Sequence, residues 1–206
     1  MKKRLFICLF IAFKLASPVS AQTLATNWTV NVPIPEGSPV GLSIYQVLTG
    51  FSGSLIADVS VNLNISGGYN GGLVGYLTLQ DAYGHTATET LLDHVGTTTG
   101  NPLGSSGAGF NVTLSDSGTE NGSIHSATGV PTGIWQPDST STLDGTVGGM
   151  TENGTWTLFL VDLSSGGGTS TLNSWGVDIT PTPEPSALAI VGLGLAGILT
   201  AGFRRR

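Results

Sequence analysis

The sequence predicts an all-β domain, and three observations carry that reading. No long segment between residues 22 and 180 shows the 3.6-residue apolar period of a helix. Short runs rich in Val, Ile, Thr and aromatic residues recur there instead, divided by Gly, Asn and Ser clusters. In Val59-Ser60-Val61-Asn62-Leu63-Asn64-Ile65 every second residue is apolar, as a strand with one buried face requires.

The chain opens on a different kind of segment. Lys2, Lys3 and Arg4 form a charged start, residues 5–13 a short apolar run, and Val19-Ser20-Ala21 a small-residue cleavage site. Residues 1–21 therefore read as a secretory signal peptide, cut by a signal peptidase after Ala21 to leave Gln22 first. Lys14 interrupts the apolar stretch, and an uncleaved anchor is the alternative. The only cysteine, Cys8, lies in this segment, so the exported body has no disulfide. A body of about 160 residues buries enough surface to be stable without one.

Strands are then expected at 26–32, 42–48, 55–65, 73–79, 110–114, 156–163 and 172–179. Trp156-Thr157-Leu158-Phe159-Leu160-Val161 is the most continuously apolar, which suits a central strand. Gly67 and Gly68 with Tyr69-Asn70-Gly71-Gly72, and Gly166-Gly167-Gly168, are turn chemistry. Residues 96–109 are rich in Gly, Ser and Thr and read as a mobile surface loop. Residues 180–186, with Pro181, Pro183 and Pro185, read as a stiff extended spacer. Many short strands without helices argue for a β-sandwich, of jelly-roll type. The domain organisation expected is 1–21 signal peptide, 22–181 β-sandwich and 182–206 a C-terminal signal.

All seven Lys and Arg lie at positions 2, 3, 4, 14, 204, 205 and 206, while twelve of the thirteen acids lie between 22 and 180. The body thus has no base except histidine. Nucleic acid is excluded as a partner, because nothing neutralises phosphates. The acids keep a secreted protein soluble, or they hold a divalent cation such as calcium. Asp138, Asp162, Asp58 and Asp81 are the candidate calcium ligands, since they fall near strand ends or turns. Asp is equally a turn former at such places.

The tail combines Pro183-Glu184-Pro185, an uncharged apolar run over 187–203 and a cationic stop, Arg204-Arg205-Arg206. The run is long enough for a short transmembrane helix with its basic end on the cytoplasmic side. Its glycines, among them Gly192 and Gly197, weaken the helix but allow close packing against another membrane helix. This arrangement resembles the PEP-CTERM sorting domain of Gram-negative bacteria. The resemblance implies recognition by an exosortase at the inner membrane, cutting at Pro183-Glu184-Pro185, and an association with exopolysaccharide. A plain C-terminal anchor is the alternative. Either way the protein is expected to be exported, membrane-anchored, and then at the cell surface or secreted.

A second resemblance covers roughly residues 30–180. Asn153-Gly154-Thr155-Trp156-Thr157-Leu158-Phe159-Leu160-Val161-Asp162, followed by Gly168-Thr169-Ser170-Thr171-Leu172-Asn173-Ser174-Trp175, is similar to the P domain, or P/Homo B domain, of subtilisin-like proprotein convertases. Ile34-Pro35-Glu36, Gly71-Gly72-Leu73 and Gly133-Ile134-Trp135-Gln136-Pro137-Asp138 also fit. The resemblance implies a jelly-roll sandwich. Family members often carry Asp where this chain has Gly72, and Asp in the turn before Leu172.

The same resemblance raises the question of serine endopeptidase activity. Gly168-Thr169-Ser170 superficially looks like a subtilisin nucleophile, but it sits on a turn entering a strand, and the α/β catalytic domain is lacking. No Gly-x-Ser-x-Gly elbow is present. His85, His94 and His125 lack metal-ligand spacing and read as exposed strand or loop residues. Trp156 and Trp175 read as core, whereas Trp28 or Trp135 either packs at an edge or stacks on a sugar ring. The expected function is a non-catalytic cell-surface or matrix module. The alternatives are an accessory domain to a subtilisin-like protease, or a carbohydrate-binding module.

Overall fold

The apolar positions of the sequence pair off into two β-sheets around one core. A computed structural model describes residues 22–51 and 53–183. The expected signal peptide with its cleavage at Ala21, and the tail from Glu184 through the 187–203 run to Arg204, Arg205 and Arg206, lie outside the described residues. A compact unit spans Ala21–Thr182.

The strands are β1 (Leu24–Ala25), β2 (Trp28–Pro33), β3 (Leu42–Leu48), β4 (Ile56–Ser66), β5 (Leu73–Asp81), β6 (Thr86–Asp93), β7 (Gly109–Ser115), β8 (Thr132–Trp135), β9 (Gly154–Asp162) and β10 (Thr171–Pro181). Between β8 and β9 lies one short helix, α1 (Leu143–Val147). The first sheet runs β1–β10–β4–β7–β8, with β2 also on β10 beside β1; the second runs β3–β9–β5–β6. All pairs are antiparallel except β7 with β8. Among the described residues no helix is long and apolar enough to cross a membrane.

Period-two alternation places the core. Val59, Val61, Leu63 and Ile65 of β4 and Trp175, Val177 and Ile179 of β10 face inward from the first sheet. Leu77 and Leu79 of β5 and Trp156, Leu158 and Leu160 of β9 belong to the same buried cluster from the second. Trp156 and Trp175 are fully buried. Truncating either to Ala costs about 3–5 kcal/mol by the usual scale for large core residues. The continuously apolar Trp156 strand is internal to its sheet, between β3 and β5.

Several expectations need correction. The strand expected at 26–32 is β2, at Trp28–Pro33, and Asn31 within it takes a positive φ of 54° next to a register shift against β10. Asn tolerates that left-handed conformation better than most residues. Strands β1, β6 and β8 and the helix α1 lie outside the expected strands. β10 runs through Pro181, so residues 180 and 181 are strand and not spacer. The loop at 96–109 does lie at the surface, exposed over 98–103, and its far end is pinned from within. The buried Asn70 side chain donates to Gly109 O and to Gly129 O, both at 3.0 Å, and its Oδ1 accepts from Gly109 N at 2.8 Å. The backbone N–H groups of Asn70 and Gly71 donate to Gly107 and Ser105. Backbone groups of Ser105, Gly107 and Gly109 are thus satisfied inside the protein, which is what permits the burial of Ser105 and Gly109.

Candidate functional site

In a body without lysine or arginine, three imidazoles are the only side chains that take a positive charge. Each directs Nδ1 to an aspartate: His85 to Asp81 at 3.0 Å, His94 to Asp93 at 2.6 Å and His125 to Asp138 at 2.6 Å. Sequence spacing carries no sign of the last pair, because residues 125 and 138 meet only through the fold.

The His125 cluster is assembled from three segments. His125 sits on a 3-10 turn (Ile124–Ser126) whose start is capped by the Ser123 side chain. Asp138 follows β8 and is fixed by its N–H donating to Leu91 O. Asp93 ends β6; its N–H donates to Asp138 Oδ2 at 3.1 Å and its carbonyl lies 2.9 Å from His125 Nδ1. Partial burial works against a charged His125, but Asp138 and Asp93 outweigh it and hold its pKa above the ordinary value. Burial, together with the nearby Asp93 charge, pushes Asp138 up against the pull of His125.

Asp81, Glu89, Asp116 and Asp144 serve local roles. Asp81 closes the β5–β6 turn, accepting from Tyr83 N and His85 N at 2.9 Å each; burial opposes its ionisation, and His85 and these N–H donors still hold its pKa low. Glu89 is buried on β6, yet Ser139, Thr146, Ser141 and the Thr90 N–H all donate to it. Those donors outweigh its desolvation and keep its pKa below the ordinary value. Asp116 accepts from Leu143 N at 3.0 Å and Asp144 N at 2.8 Å, anchoring the start of α1. Asp144 accepts from Val59 N at 2.8 Å. Burial first, then the charges of Asp58 and Asp116, push Asp144 up to about 6.

Asp162 is fully buried at the end of β9 and accepts from Ser164 Oγ at 2.6 Å and Ser170 Oγ at 3.0 Å. Ser170, of the nucleophile-like Gly168-Thr169-Ser170, is itself fully buried and spends its hydroxyl on this carboxylate. A buried serine tied to an aspartate is a loop pin, not a group that reaches a scissile carbonyl. A Cβ on Gly72 would stand 2.4 Å from Asp162 Oδ1. The residue with which this chain departs from the P-domain pattern is thus one where any side chain collides with the buried acid.

The four candidate calcium ligands go to separate places. Asp138 joins His125, Asp162 joins Ser164 and Ser170, Asp81 joins His85, and Asp58 stands exposed on β4 beside Asp144. Asp81 and Asp162 lie opposite the two ends of the pairing between β5 and β9, about 27 Å apart along the strand. Among the described residues no group of three or more His, Cys, Asp or Glu is placed to hold a metal ion. The tryptophans flagged for sugar stacking are also occupied. Trp28 packs on Trp175 with centroids 4.8 Å apart, and Trp135 donates its indole N–H to Thr132 O. On the outer face of the first sheet a groove of about 290 Å³ is lined by Asn27, Asn62, Asn64, Asn111 and Ser174.

Comparison with known proteins adds one firm assignment. Residues 181–206 match the PEP-CTERM protein-sorting motif. No curated protein matches the chain. Among solved structures, the serine protease of Aeromonas sobria superposes with a TM-score of 0.45 at 12% identity, over 78% of this chain and 27% of that one. The infectious bursal disease virus VP2 subviral particle superposes with a TM-score of 0.37 at 13% identity, over 78% of this chain and 34% of that one. The chain spans about a quarter and a third of those two proteins. The sorting motif indicates exosortase-dependent sorting of an exported protein and its anchoring at the membrane.

Proposed function

We propose that the chain is a non-catalytic module of the bacterial envelope. A signal peptidase removes residues 1–21, an exosortase in the inner membrane handles the tail at Pro183, Glu184 and Pro185, and the body at 22–181 reaches the cell surface or its exopolysaccharide matrix. The observation that carries this reading is the sorting motif at 181–206 attached to an acidic β-sandwich-like body. The full burial of Ser170 and the commitment of Asp81, Glu89 and Asp162 to structural hydrogen bonds support a body that does no bond cleavage.

Within this reading the body is a jelly roll of the P/Homo B type. The arrangement of ten strands into a six-stranded and a four-stranded layer, with most neighbours in each layer distant in sequence, supports it. So does the burial of Trp156, Asp162, Leu172 and Trp175, which carry the likeness. Calcium has no place in the proposal, because the candidate acids do not gather into one ligand set.

Expression in a Gram-negative host that carries an exosortase tests the reading. The mass of the recovered envelope or secreted form should begin at Gln22 and lack the apolar tail. A fluorophosphonate probe and a panel of peptide substrates should give no labelling and no turnover. Full-length protein in the cytoplasm, or a stoichiometrically labelled serine, refutes it.

A further inference from the structure

The second sheet leaves aromatic rings uncovered. Its inner face is core; its outer face carries Tyr45 on β3, Tyr76 on β5 and Phe159 on β9, with Tyr45 67% and Tyr76 37% exposed. Register places these rings among hydroxyls. Tyr45 lies opposite Thr157, which lies opposite Thr78, which lies opposite Thr88; Phe159 lies opposite Tyr76. Thr78 and Thr88 share a hydrogen bond of 2.9 Å. We propose that this face binds a neutral polysaccharide chain, with the Tyr76–Phe159 pair and Tyr45 as two stacking platforms.

The platform is built in advance. Tyr76 and Phe159 stack with centroids 6.1 Å apart and planes 24° apart. The Phe159 ring lies across Gly41, where a Cβ would stand 2.6 Å from Cζ, so the glycine is what lets the ring settle there. Tyr45 and Tyr76 are two strands and one register step apart, about 12 Å between backbone positions. That separation suits a chain of sugars rather than one ring. A pyranose offers an apolar C–H face to an aromatic ring and hydroxyls at its edge, which threonine hydroxyls meet as donors and acceptors.

Charge selects the occupant. The two outward-facing registers that hold these rings contain no carboxylate, imidazole or amine. Asp93, one register beyond and opposite Val74, is paired with His94. The rest of the body bears twelve acids and no lysine or arginine. An anionic polysaccharide is repelled by that field, a second copy of this chain brings the same acids with it, and a basic protein is drawn to the acidic flanks. A neutral, hydroxyl-rich polymer matches these uncharged registers. Exposed apolar patches rimmed by polar residues generally mark interaction sites. The inference deepens the non-catalytic reading above and rests on it.

Affinity electrophoresis of the detergent-solubilised full chain tests it, through gels containing hydroxyethyl cellulose, dextran or the anionic alginate. Retardation is expected in at least one neutral gel and not in alginate. Tyr45→Ala and Tyr76→Ala should each weaken the apparent affinity about tenfold, Tyr45→Phe should hold it, and the double alanine variant should migrate freely. Asn111→Ala, in the amide-lined groove of the opposite sheet, should bind as the parent does. Unchanged thermal midpoints of the tyrosine variants show that they are folded. Free migration of the parent in both neutral gels overturns the proposal. So does loss of binding in Asn111→Ala but not in the tyrosine variants, and so does a dimer that Tyr45→Ala dissolves without any retardation of the parent. Retardation is read on purified protein and sorting in cells, so either reading can fail without the other.

Discussion

Asp144→Asn should stabilise the protein at neutral pH, although it removes a charge and adds no contact. Asp144 is partly buried between Asp58 and Asp116 and titrates at about 6 against 3.8 for an ordinary aspartate. A shift of about two units corresponds to about 3 kcal/mol if converted in full. The group is partly solvated, and screening reduces that to about 1 kcal/mol. Asparagine keeps the oxygen that accepts from Val59 N, so the backbone bond at 2.8 Å survives. The sign follows from linkage. A carboxylate whose pKa is raised by folding stabilises the fold when protonated; that contribution is complete below 3.8 and is lost as pH rises through about 6. The Asn variant should therefore exceed the parent by about 1 kcal/mol at pH 7.5, or about 2–4 °C in midpoint, and lose the advantage by pH 4. Thermal unfolding of parent and variant across pH 4–8 measures the difference, in which all other titrations cancel. Asp58→Asn should move the Asp144 transition to lower pH. A variant less stable than the parent at pH 7.5, or a pH-independent difference, refutes the reasoning.

His125→Asn should cost about 0.5–1 kcal/mol at pH 5.5 and less at pH 8.5, because the pKa raised by Asp138 contributes stability below the ordinary histidine value and loses it as pH rises past the raised one; unfolding at the two pH values checks it. Glu89→Ala should cost about 2–3 kcal/mol, since Ser139, Ser141 and Thr146 lose their shared acceptor, read as a shift in urea midpoint at constant slope. In the parent the stability from Glu89 is present above the ordinary glutamate pKa and is lost as pH falls through its lowered folded value, so Glu89→Gln should flatten the acid limb of the stability curve. Asn70→Ala should cost about 3 kcal/mol and open residues 96–109 to limited proteolysis, because it breaks the bonds to Gly109 and Gly129.

The fold class was legible because its carriers are local. Val59 to Ile65 alternate without a break, and Trp156 to Val161 are continuously apolar, so both strands declare themselves. β6 did not, because its inward position opposite Leu77 holds Glu89, a residue that is buried only by virtue of hydroxyls some 50 positions away. β8 is four residues long and mostly exposed, so it has no apolar period to read. Composition shows residues 96–109 as a loop but not the long-range bonds of Asn70 that pin its end at 105–109. The same distance effect hid the His125–Asp138 pair. The sorting motif needed no fold at all, since its three parts lie side by side in the chain. The aromatic face was missed because Tyr45, Tyr76 and Phe159 converge only through strand register, while the tryptophans that drew attention, Trp28 and Trp135, turned out to be engaged within the protein.

Cell fractionation tests the central claim most directly, comparing the parent with a chain in which Pro183, Glu184 and Pro185 are all alanine, in a Gram-negative host with an exosortase. Parent protein at the cell surface or in the medium, with the triple variant held at the inner membrane, is the result predicted. Equal distribution of the two chains, or parent protein left in the cytoplasm, contradicts it.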